Sequence, residues 1–301
     1  MSIQDTAPSQ RAVSWMKFLM EKDIKQEVRQ FYDRVGWQKV ADGVYQNARY
    51  EDLRPVSAEY IHRCHLRVNR HLKPGGRLLL DAGSGPIQYP EYLTYSATYQ
   101  KRVCLDISIV ALQEARKRIG EHGLFVVADV ANLPFKANAF DGVVSLHTLH
   151  HLPLEDQARA YADLYRVLAP SKTMVVVNGW TDSPLMRRTT WLVKLAERIK
   201  GRLERSRREI VLEKKLDEKP AEPTGTFIKK QNAAWLRSQL DGKVRYRIWV
   251  WRSVNMRFLR ALMHYRLGGR AWLRLLFWLE DRFPRFFGEK GQYPLIVIEK
   301  P

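Results

Sequence analysis

The 301-residue chain is long enough for one core with large insertions, and 45% hydrophobic content with nine Trp argues against disorder. Two cysteines make neither a disulfide framework nor a metal pattern, and the polar first ten residues show no secretory signal. No charge-free run approaches the ~20 residues that a membrane-spanning helix needs. These observations predict a cytoplasmic protein that does not span a bilayer.

The net charge of +19 is unevenly distributed. Residues 1–181 contain 23 basic and 19 acidic side chains, whereas residues 182–301 contain 28 and 13. The front of the chain is therefore close to neutral, and the back is expected to meet an anionic partner, either nucleic acid or a membrane surface.

Helices and strands alternate through the first two thirds of the chain. Apolar spacing predicts helices at 11–35 and 57–72, the first ending at Gly36 and the second before Pro74. Apolar runs predict five strands, at 77–81, 102–106, 124–129, 140–146 and 174–178, with helices at 108–120 and 155–168. Connections too long for hairpins require a mostly parallel sheet covered by helices on both faces.

The last third adds two strands and two insertions. Residues 182–223 are charged and helical from 191 to about 216, and Asn232 caps a helix through 240. Alternating patterns predict strands six and seven at 244–251 and 293–298, and 255–287 is an arginine- and aromatic-rich helical stretch broken at 268–269. Both insertions leave carboxyl ends of strands, so both are expected to rim a ligand pocket.

The stretch Leu-Leu-Leu-Asp-Ala-Gly-Ser-Gly-Pro at 78–86 organises this sheet. A buried strand ends at Asp81 and turns through Gly83 and Gly85, which let the backbone approach a ligand. Asp106 and Asp129 also end predicted strands, so three carboxylates share the ligand-binding edge. A dinucleotide fingerprint would need a third glycine at the position of Gln88, and a pyrophosphate would be repelled by Asp81. The pattern therefore favours a cationic nucleoside.

Residues 77–178 resemble class I S-adenosylmethionine-dependent methyltransferases, of the branch that contains ubiquinone and menaquinone methyltransferases. The motifs that carry the resemblance are Asp-Ala-Gly-Ser-Gly at 81–85, Asp-Ile-Ser at 106–108, Ala-Asp at 128–129 with Leu-Pro-Phe at 133–135, Phe-Asp at 140–141 leading to His-His-Leu at 150–152, Leu-Tyr-Arg-Val-Leu at 164–168, and Phe-Tyr-Asp at 31–33. The chain departs from the family where Ile87 replaces a third glycine and where Ala-Pro-Ser-Lys at 169–172 replaces Pro-Gly-Gly.

This resemblance implies S-adenosylmethionine as cofactor, with Gly83 and Gly85 near its methionine part, Asp106 on the ribose and Asp129 on the adenine amine. The candidate cofactor-binding residues are Asp81, Ala82, Gly83, Gly85, Asp106, Ile107, Asp129, Val130, Ser145 and Tyr32. The fold class implied is α/β, a doubly wound seven-stranded mostly parallel sheet, the Rossmann-like methyltransferase core, with helical insertions after strands 5 and 6. The predicted divisions are a helical cap at 1–76, a cofactor-binding core at 77–181, a charged insertion at 182–231 and the end of the core at 232–301.

Catalysis is less well determined by the sequence. His147, His150 and His151 are candidates for a general base, and the alternative is that they cap a helix and line the pocket floor. No carboxylate or cysteine stands at a suitable spacing from them, so no metal is predicted. Tyr32 and Trp37 either cover the cofactor or pack the first helix. Methyl transfer itself depends mainly on in-line positioning and exclusion of water.

The acceptor is predicted to be a small or lipophilic molecule. Arginine and aromatic residues in 255–287 have the composition of an element at an anionic membrane surface, but the favoured interpretation is a helical cap packed on the core with outward arginines. An RNA methyltransferase is the competing enzyme, motivated by the charge. Ser-Leu-His-Thr at 145–148 disfavours it, because enzymes acting on base amines usually carry Asn/Asp-Pro-Pro-aromatic there. A non-catalytic cofactor-binding scaffold is the third alternative.

Overall fold

The structure, a computed structural model, describes residues 23–41, 44–45, 51–52, 54–208 and 226–301. The predicted helical segments at 11–22 and 209–216 lie outside the described residues.

Seven strands form one mixed sheet. A short antiparallel pair, β1 (Lys39–Ala41) and β2 (Val44–Tyr45), precedes it. The main strands are β3 (Gly76–Ala82), β4 (Tyr99–Asp106), β5 (Gly123–Val127), β6 (Phe140–Leu146), β7 (Leu168–Val177), β8 (Arg245–Arg252) and β9 (Tyr293–Glu299). Their order is β5-β4-β3-β6-β7-β9-β8, and only β9 runs antiparallel to its neighbours. The predicted doubly wound, seven-stranded, mostly parallel sheet is confirmed.

Helices cover both faces of the sheet. The first, α1 at 23–31, continues into a π-helical turn at Tyr32–Gly36. The others are α2 (Ala58–Leu66), α3 (Pro90–Leu93), α4 (Ile109–Ile119), α5 (Leu154–Val167), α6 (Pro184–Arg208), α7 (Ala233–Leu240), α8 (Met256–Leu262), α9 (Gly269–Arg282) and α10 (Pro284–Lys290). Along β3, Leu80 joins the core on one face and Leu79 the core on the other, which is why this strand is apolar throughout.

Local capping signals are placed as the sequence predicts. The Ser108 hydroxyl accepts from the Ala111 N–H at the start of α4, and Asn232 caps α7 at the Trp235 N–H. The second insertion breaks at Gly268, which has a left-handed φ of 71°. Several boundaries differ from the predicted ones: α2 ends at Leu66 rather than at 72, β4 begins at Tyr99 rather than at 102, β5 ends at Val127 rather than at 129, β7 begins at Leu168 rather than at 174, and α6 begins at Pro184 rather than at 191. Ser183 accepts from the Met186 N–H and proline suits the first helical position, so the helix starts at this cap.

The second insertion does not reach the ligand edge of the sheet. Leu259, Leu273 and Phe277 pack instead with Tyr60 and Cys64 of α2 in a separate apolar cluster. None of the residues 255–287 lines the cavity, so the expectation that this stretch rims the pocket is wrong, and the stretch packs on α2 as a helical cap. Among the described residues, no helix combines the length and the hydrophobicity that crossing a bilayer requires.

Candidate functional site

A cavity of about 310 Å³ lies at the carboxyl edge of the sheet. We call the part lined by Gly83, Gly85, Asp106 and Asp129 the glycine end, and the part lined by Gly179, Lys230, Arg252 and Tyr293 the tyrosine end. Of the residues predicted for the site, ten line the cavity: Tyr32, Gly83, Gly85, Asp106, Ile107, Asp129, Val130, His147, His150 and His151. Asp81, Ala82 and Ser145 are buried and are not part of its lining.

The glycine loop is locked against its neighbours by backbone contacts. The Gly83 N–H donates to the Leu105 carbonyl at 2.7 Å, and φ is 76° at Gly83 and 54° at Gly85. A Cβ on Gly83 would stand 2.2 Å from the Thr148 side chain, so only glycine fits there. The expected need for glycine at these two positions follows directly from this geometry.

The rear of the loop carries the departure from the family. Ile87 has a left-handed φ of 52°, a conformation that a β-branched residue rarely adopts. Its side chain is fully buried against Cys104, Leu112 and Ala115. Burial of the isoleucine therefore offsets a backbone strain that a glycine would not have.

Asp106 is held in place by backbone donors. Its carboxylate accepts from the Gly85 N–H and from the Ser108 N–H, both at 2.9 Å. Burial raises the pKa of Asp106 to about 6, against the lowering effect of these two hydrogen bonds, and the charges of Asp81 and Asp33 add to the rise. A carboxylate so fixed beside the cavity suits the ribose diol that was predicted for it.

Asp81 has a different partner from the one predicted. Its carboxylate is buried and forms an ion pair with Arg102 on the neighbouring strand, whose Nε lies 3.1 Å from it. Asp81 therefore balances a buried arginine beneath the glycine loop instead of facing a cationic ligand. An arginine inside the apolar run 102–105 was the sequence signal for this pairing, because a buried guanidinium requires a carboxylate.

Lys25 of α1 forms an ion pair with Asp129, the carboxylate predicted to meet the adenine amine. Its ammonium lies 2.6 Å from Asp129 and 2.5 Å from Asp156. Burial lowers the pKa of Lys25, and the two carboxylates more than offset this, so the net shift is upward. The other Asp129 oxygen accepts from the Ala131 N–H at 2.9 Å. Sequence analysis missed Lys25, because a lysine in an amphipathic helix carries no signal of its distant partner.

Tyr32 and Trp37 cover the glycine end. Their rings stack with centroids 5.0 Å apart, and a Cβ on Gly85 would stand 3.1 Å from the Trp37 ring. The Tyr32 hydroxyl donates to His151 Nε2 at 2.9 Å, and His151 Nδ1 donates to the Phe227 carbonyl at 2.8 Å. The carbonyl can only accept, so the proton of His151 is on Nδ1 and Nε2 accepts from Tyr32.

The three candidate histidines are neutral. Burial lowers the pKa of His147 to about 3 and that of His151 to about 4, and it lowers the pKa of His150 well below its usual value. His147 has a left-handed φ of 57°, and its ring packs between Trp251 and Tyr293. The role of any of them as a base stays a prediction.

The tyrosine end contains residues that sequence reasoning missed. Arg252 is buried and forms an ion pair with Glu51, which is 201 positions away in the chain. Burial alone would raise the pKa of Glu51, and Arg252 and His65 more than offset this, lowering it to about 2. The sole sequence signal of this pair was Arg252 itself, a charged residue directly after the alternating strand predicted at 244–251. Tyr89, Tyr92 and Ile228 supply apolar wall nearby.

The residues present fit an adenosyl cofactor. The glycine end offers a loop without side chains, a fixed carboxylate at Asp106 and the apolar side chains of Ile107 and Val130. Among the described residues, no group of three or more His, Cys, Asp or Glu is arranged to hold a metal ion.

Comparisons with known proteins show similarity to methyltransferases. Residues 80–176 match the family described as Methyltransferase domain. Sterol methyltransferase-like 1 of Botryococcus braunii is 26% identical over 175 residues, 55% of this chain and 43% of that protein. Probable tRNA methyltransferase 9B of Mus musculus is 30% identical over 131 residues, 42% of this chain and 28% of that protein.

A solved structure shares the fold. Geranyl diphosphate C-methyltransferase from Streptomyces coelicolor A3(2) superposes with a TM-score of 0.50 at 15% identity, over 92% of this chain and 98% of that one. At this identity the similarity concerns the fold alone.

The fold and the glycine end are those expected of a protein that binds an adenosyl cofactor at the carboxyl edge of a Rossmann-like sheet. Its core, within residues 80–176, belongs to the class I S-adenosylmethionine-dependent methyltransferases. This chain spans less than half of the length of the two curated relatives above. The ubiquinone and menaquinone branch stays a prediction.

Proposed function

We propose that this protein transfers a methyl group from S-adenosylmethionine to a small, largely apolar acceptor. The observation that carries the proposal is one continuous cavity, lined at the glycine end by Asp106 and the loop and elsewhere mostly by aromatic and aliphatic side chains, with Lys230 and Arg252 at the tyrosine end. Cavities of a few hundred Å³ with mostly apolar walls are typical of small-molecule sites. Residues 23–37 and 226–230 contribute to its walls, which favours a small acceptor over a polynucleotide.

The chain's own residues would act mainly by positioning. Asp106 and the backbone of Gly83 and Gly85 would hold the cofactor, and Tyr32 and Trp37 would exclude water above it. When bound, S-adenosylmethionine supplies an already activated methyl group. His147 lies between the two ends of the cavity and is neutral, so it would accept a hydrogen bond from the acceptor rather than carry a charge.

Calorimetry with S-adenosylhomocysteine tests the cofactor proposal. We expect the wild-type protein to bind and Asp106→Ala to bind at least 100-fold more weakly, because it removes charge-assisted hydrogen bonds to the ribose and the anchor of Gly85. Asp182→Ala removes an exposed carboxylate and serves as the control. Wild-type protein that does not bind, or Asp106→Ala that binds normally, contradicts the proposal.

We further propose that the acceptor is reached at an anionic membrane surface. Helix α9 buries Leu273 and Phe277 while Trp272, Leu275 and Trp278 stay exposed on another face. Trp272 and Trp278 are 60% and 59% exposed, which is unusual for tryptophan in a folded core. Tryptophan beside arginine, in a region with a large excess of positive charge, is the composition of an interfacial helix.

Vesicle co-sedimentation tests the membrane proposal. The double variant Trp272→Ala/Trp278→Ala is expected to bind vesicles rich in phosphatidylglycerol at least tenfold more weakly, because two inserted rings are lost. Leu154→Ala, an exposed leucine on α5, is the control. Equal binding by the double variant refutes the proposal. Binding to RNA with a steep salt dependence, together with no binding to vesicles, would support the RNA methyltransferase alternative instead.

A further inference from the structure

The tyrosine end of the cavity is separate from the glycine end in the sheet. Its residues follow β7, end β8 and begin β9, and the register places these points at one edge, since Val177 lies opposite Leu295 and Arg252 opposite Tyr293. The glycine loop follows β3, and His147 follows β6 between them. Groups at the tyrosine end would therefore contact a second ligand, bound in the cavity next to the cofactor.

The charges along the described cavity lining do not balance at this end. Lys25 is paired with Asp129, and Arg252 is paired with Glu51. Lys230 also lines the cavity, and no carboxylate pairs with it among the residues that the structure describes. Burial lowers the pKa of the Lys230 ammonium, with no opposing interaction. A half-buried ammonium without a counter-charge is costly unless a ligand supplies one.

Two buried hydrogen-bond donors without an acceptor among the described residues lie near Tyr293. A Cβ on Gly179 would stand 3.3 Å from both Lys230 Nζ and Tyr293 Cε1, so the ammonium and that ring both lie against Gly179. The Arg252 guanidinium lies 4.7 Å from the centroid of the Tyr293 ring, and the centroid of the Trp251 ring lies 5.8 Å from it. The buried Arg252 Nε and Trp251 Nε1 have no acceptor among the described residues. Donors in surplus and one unpaired positive charge together fit an oxyanion.

We propose that the acceptor carries an oxyanion substituent, a carboxylate or a phosphate, on an apolar body, and that Lys230 binds it at the tyrosine end. This inference rests on the proposed function and identifies the chemical class of its substrate. The apolar body would lie along Tyr89, Tyr92 and Ile228. Arg252 adds positive charge to the same place, although Glu51 offsets much of it. Lys230 is thus a specificity-determining residue, distant from the methyl donor's ribose site at Asp106.

Calorimetry with three ligands of one chain length tests this assignment: decanoate, decyl phosphate and 1-decanol. Each is titrated into the full chain with and without S-adenosylhomocysteine. We expect at least one anionic ligand to bind tenfold or more tightly than decanol, and Lys230→Met to reduce this preference to less than threefold. The difference between decanoate and decyl phosphate identifies which oxyanion is preferred.

Lys229→Met is the matched control, because Lys229 is the adjacent residue and its side chain is exposed. It should keep both the anion preference and the binding of S-adenosylhomocysteine. The inference is overturned if wild-type protein shows no preference, if Lys230→Met keeps it, or if Lys229→Met loses it equally. Loss of S-adenosylhomocysteine binding in Lys230→Met also overturns it, because Lys230 would then contact the cofactor.

The two proposals fail in different ways. Wild-type protein that prefers the anions but does not bind S-adenosylhomocysteine contradicts the proposed function and not the anion site. Thermal unfolding of each variant shows whether the fold is retained. Should Lys230→Met unfold, Lys230→Gln provides the same loss of charge, and an undiminished anion preference in it counts against the inference.

Discussion

The glycine end of the cavity is built from neighbouring loops and mostly from backbone groups, whereas the tyrosine end is built from side chains of distant segments. The Gly83 N–H donates to the backbone carbonyl of Leu105, and the Asp106 carboxylate accepts from the backbone N–H of Gly85. At the other end, Glu51, Lys230 and Arg252 come from three separate parts of the chain. Backbone hydrogen bonds depend on the path of the loop and little on its side chains, so a short sequence motif is enough to determine the geometry of the glycine end. Side-chain contacts depend on each residue, so the tyrosine end is where selectivity for an acceptor can differ.

The largest effect is expected from breaking the buried ion pair of the tyrosine end. Arg252→Met should lower the free energy of unfolding by about 3–5 kcal/mol, because it leaves the buried Glu51 carboxylate without its arginine partner. The double variant Glu51→Gln/Arg252→Met should recover a substantial part of this loss. Urea unfolding measures both.

Arg245→Met is the control on the same strand, since Arg245 is exposed and changes there are expected to stay within about 0.5 kcal/mol. A double variant no more stable than Arg252→Met would show that the pair is not what stabilises this end of the cavity.

A smaller effect is expected at the glycine end, from pH. The pKa of Asp106 is raised to about 6, so its carboxylate takes up a proton as the pH falls below that value. The protonated group is a poorer acceptor for a ribose diol, and S-adenosylhomocysteine should bind about tenfold more weakly one unit below the pKa, at pH 5, than above pH 7. Calorimetry across this range measures it.

The histidines in the cavity do not confuse this measurement. The pKa values of His147 and His151, about 3 and about 4, and the strongly lowered pKa of His150 lie below the range used. Asp106→Asn should bind more weakly and lose the dependence on pH. A dependence that persists in Asp106→Asn would assign the titration to another group.

The smallest effect concerns the strained rear of the glycine loop. A protein with alanine at a given position is usually more stable than one with glycine. Residue 87 has a left-handed backbone that glycine adopts without strain, so the free energy of unfolding of Ile87→Gly should exceed that of Ile87→Ala by about 0–1 kcal/mol. Ala115→Gly in helix α4 is the control, and there the glycine variant should be less stable than the alanine of the wild-type protein. Ile87→Ala that is clearly more stable than Ile87→Gly would show that the backbone there relaxes without cost.

The parts of the fold that depend on local signals were predictable from the sequence. The strand at 140–146 has the predicted bounds, and Ser108, Asn232 and Gly268 cap or break helices as expected. Each of these signals acts within a few residues, so it is present in a single sequence. Two of the three predicted carboxylates, Asp106 at the end of β4 and Asp129 two residues after β5, line the cavity, because parallel strands end at one edge.

What could not be predicted depends on which strands and helices become neighbours. Asp81 was expected to face a ligand, but β4 places Arg102 beside it, and a buried charge pairs with its nearest counter-charge. The Glu51–Arg252 pair and the position of Lys230 require the full sheet order and the path of the first insertion. The second insertion was expected at the pocket, but its apolar face packs against α2 instead.

The hydrogen bonds of His151 have a consequence for the timing of ligand exchange. This single imidazole joins Tyr32 of the N-terminal covering segment to Phe227 of the segment beside Lys230. Withdrawal of Tyr32 leaves Nε2 of this ring without its donor while Nδ1 still donates to Phe227, so both segments depend on the position of one ring. We therefore expect the routes by which the two ligands enter and leave to be coupled, with an ordered sequence of release rather than two independent ones.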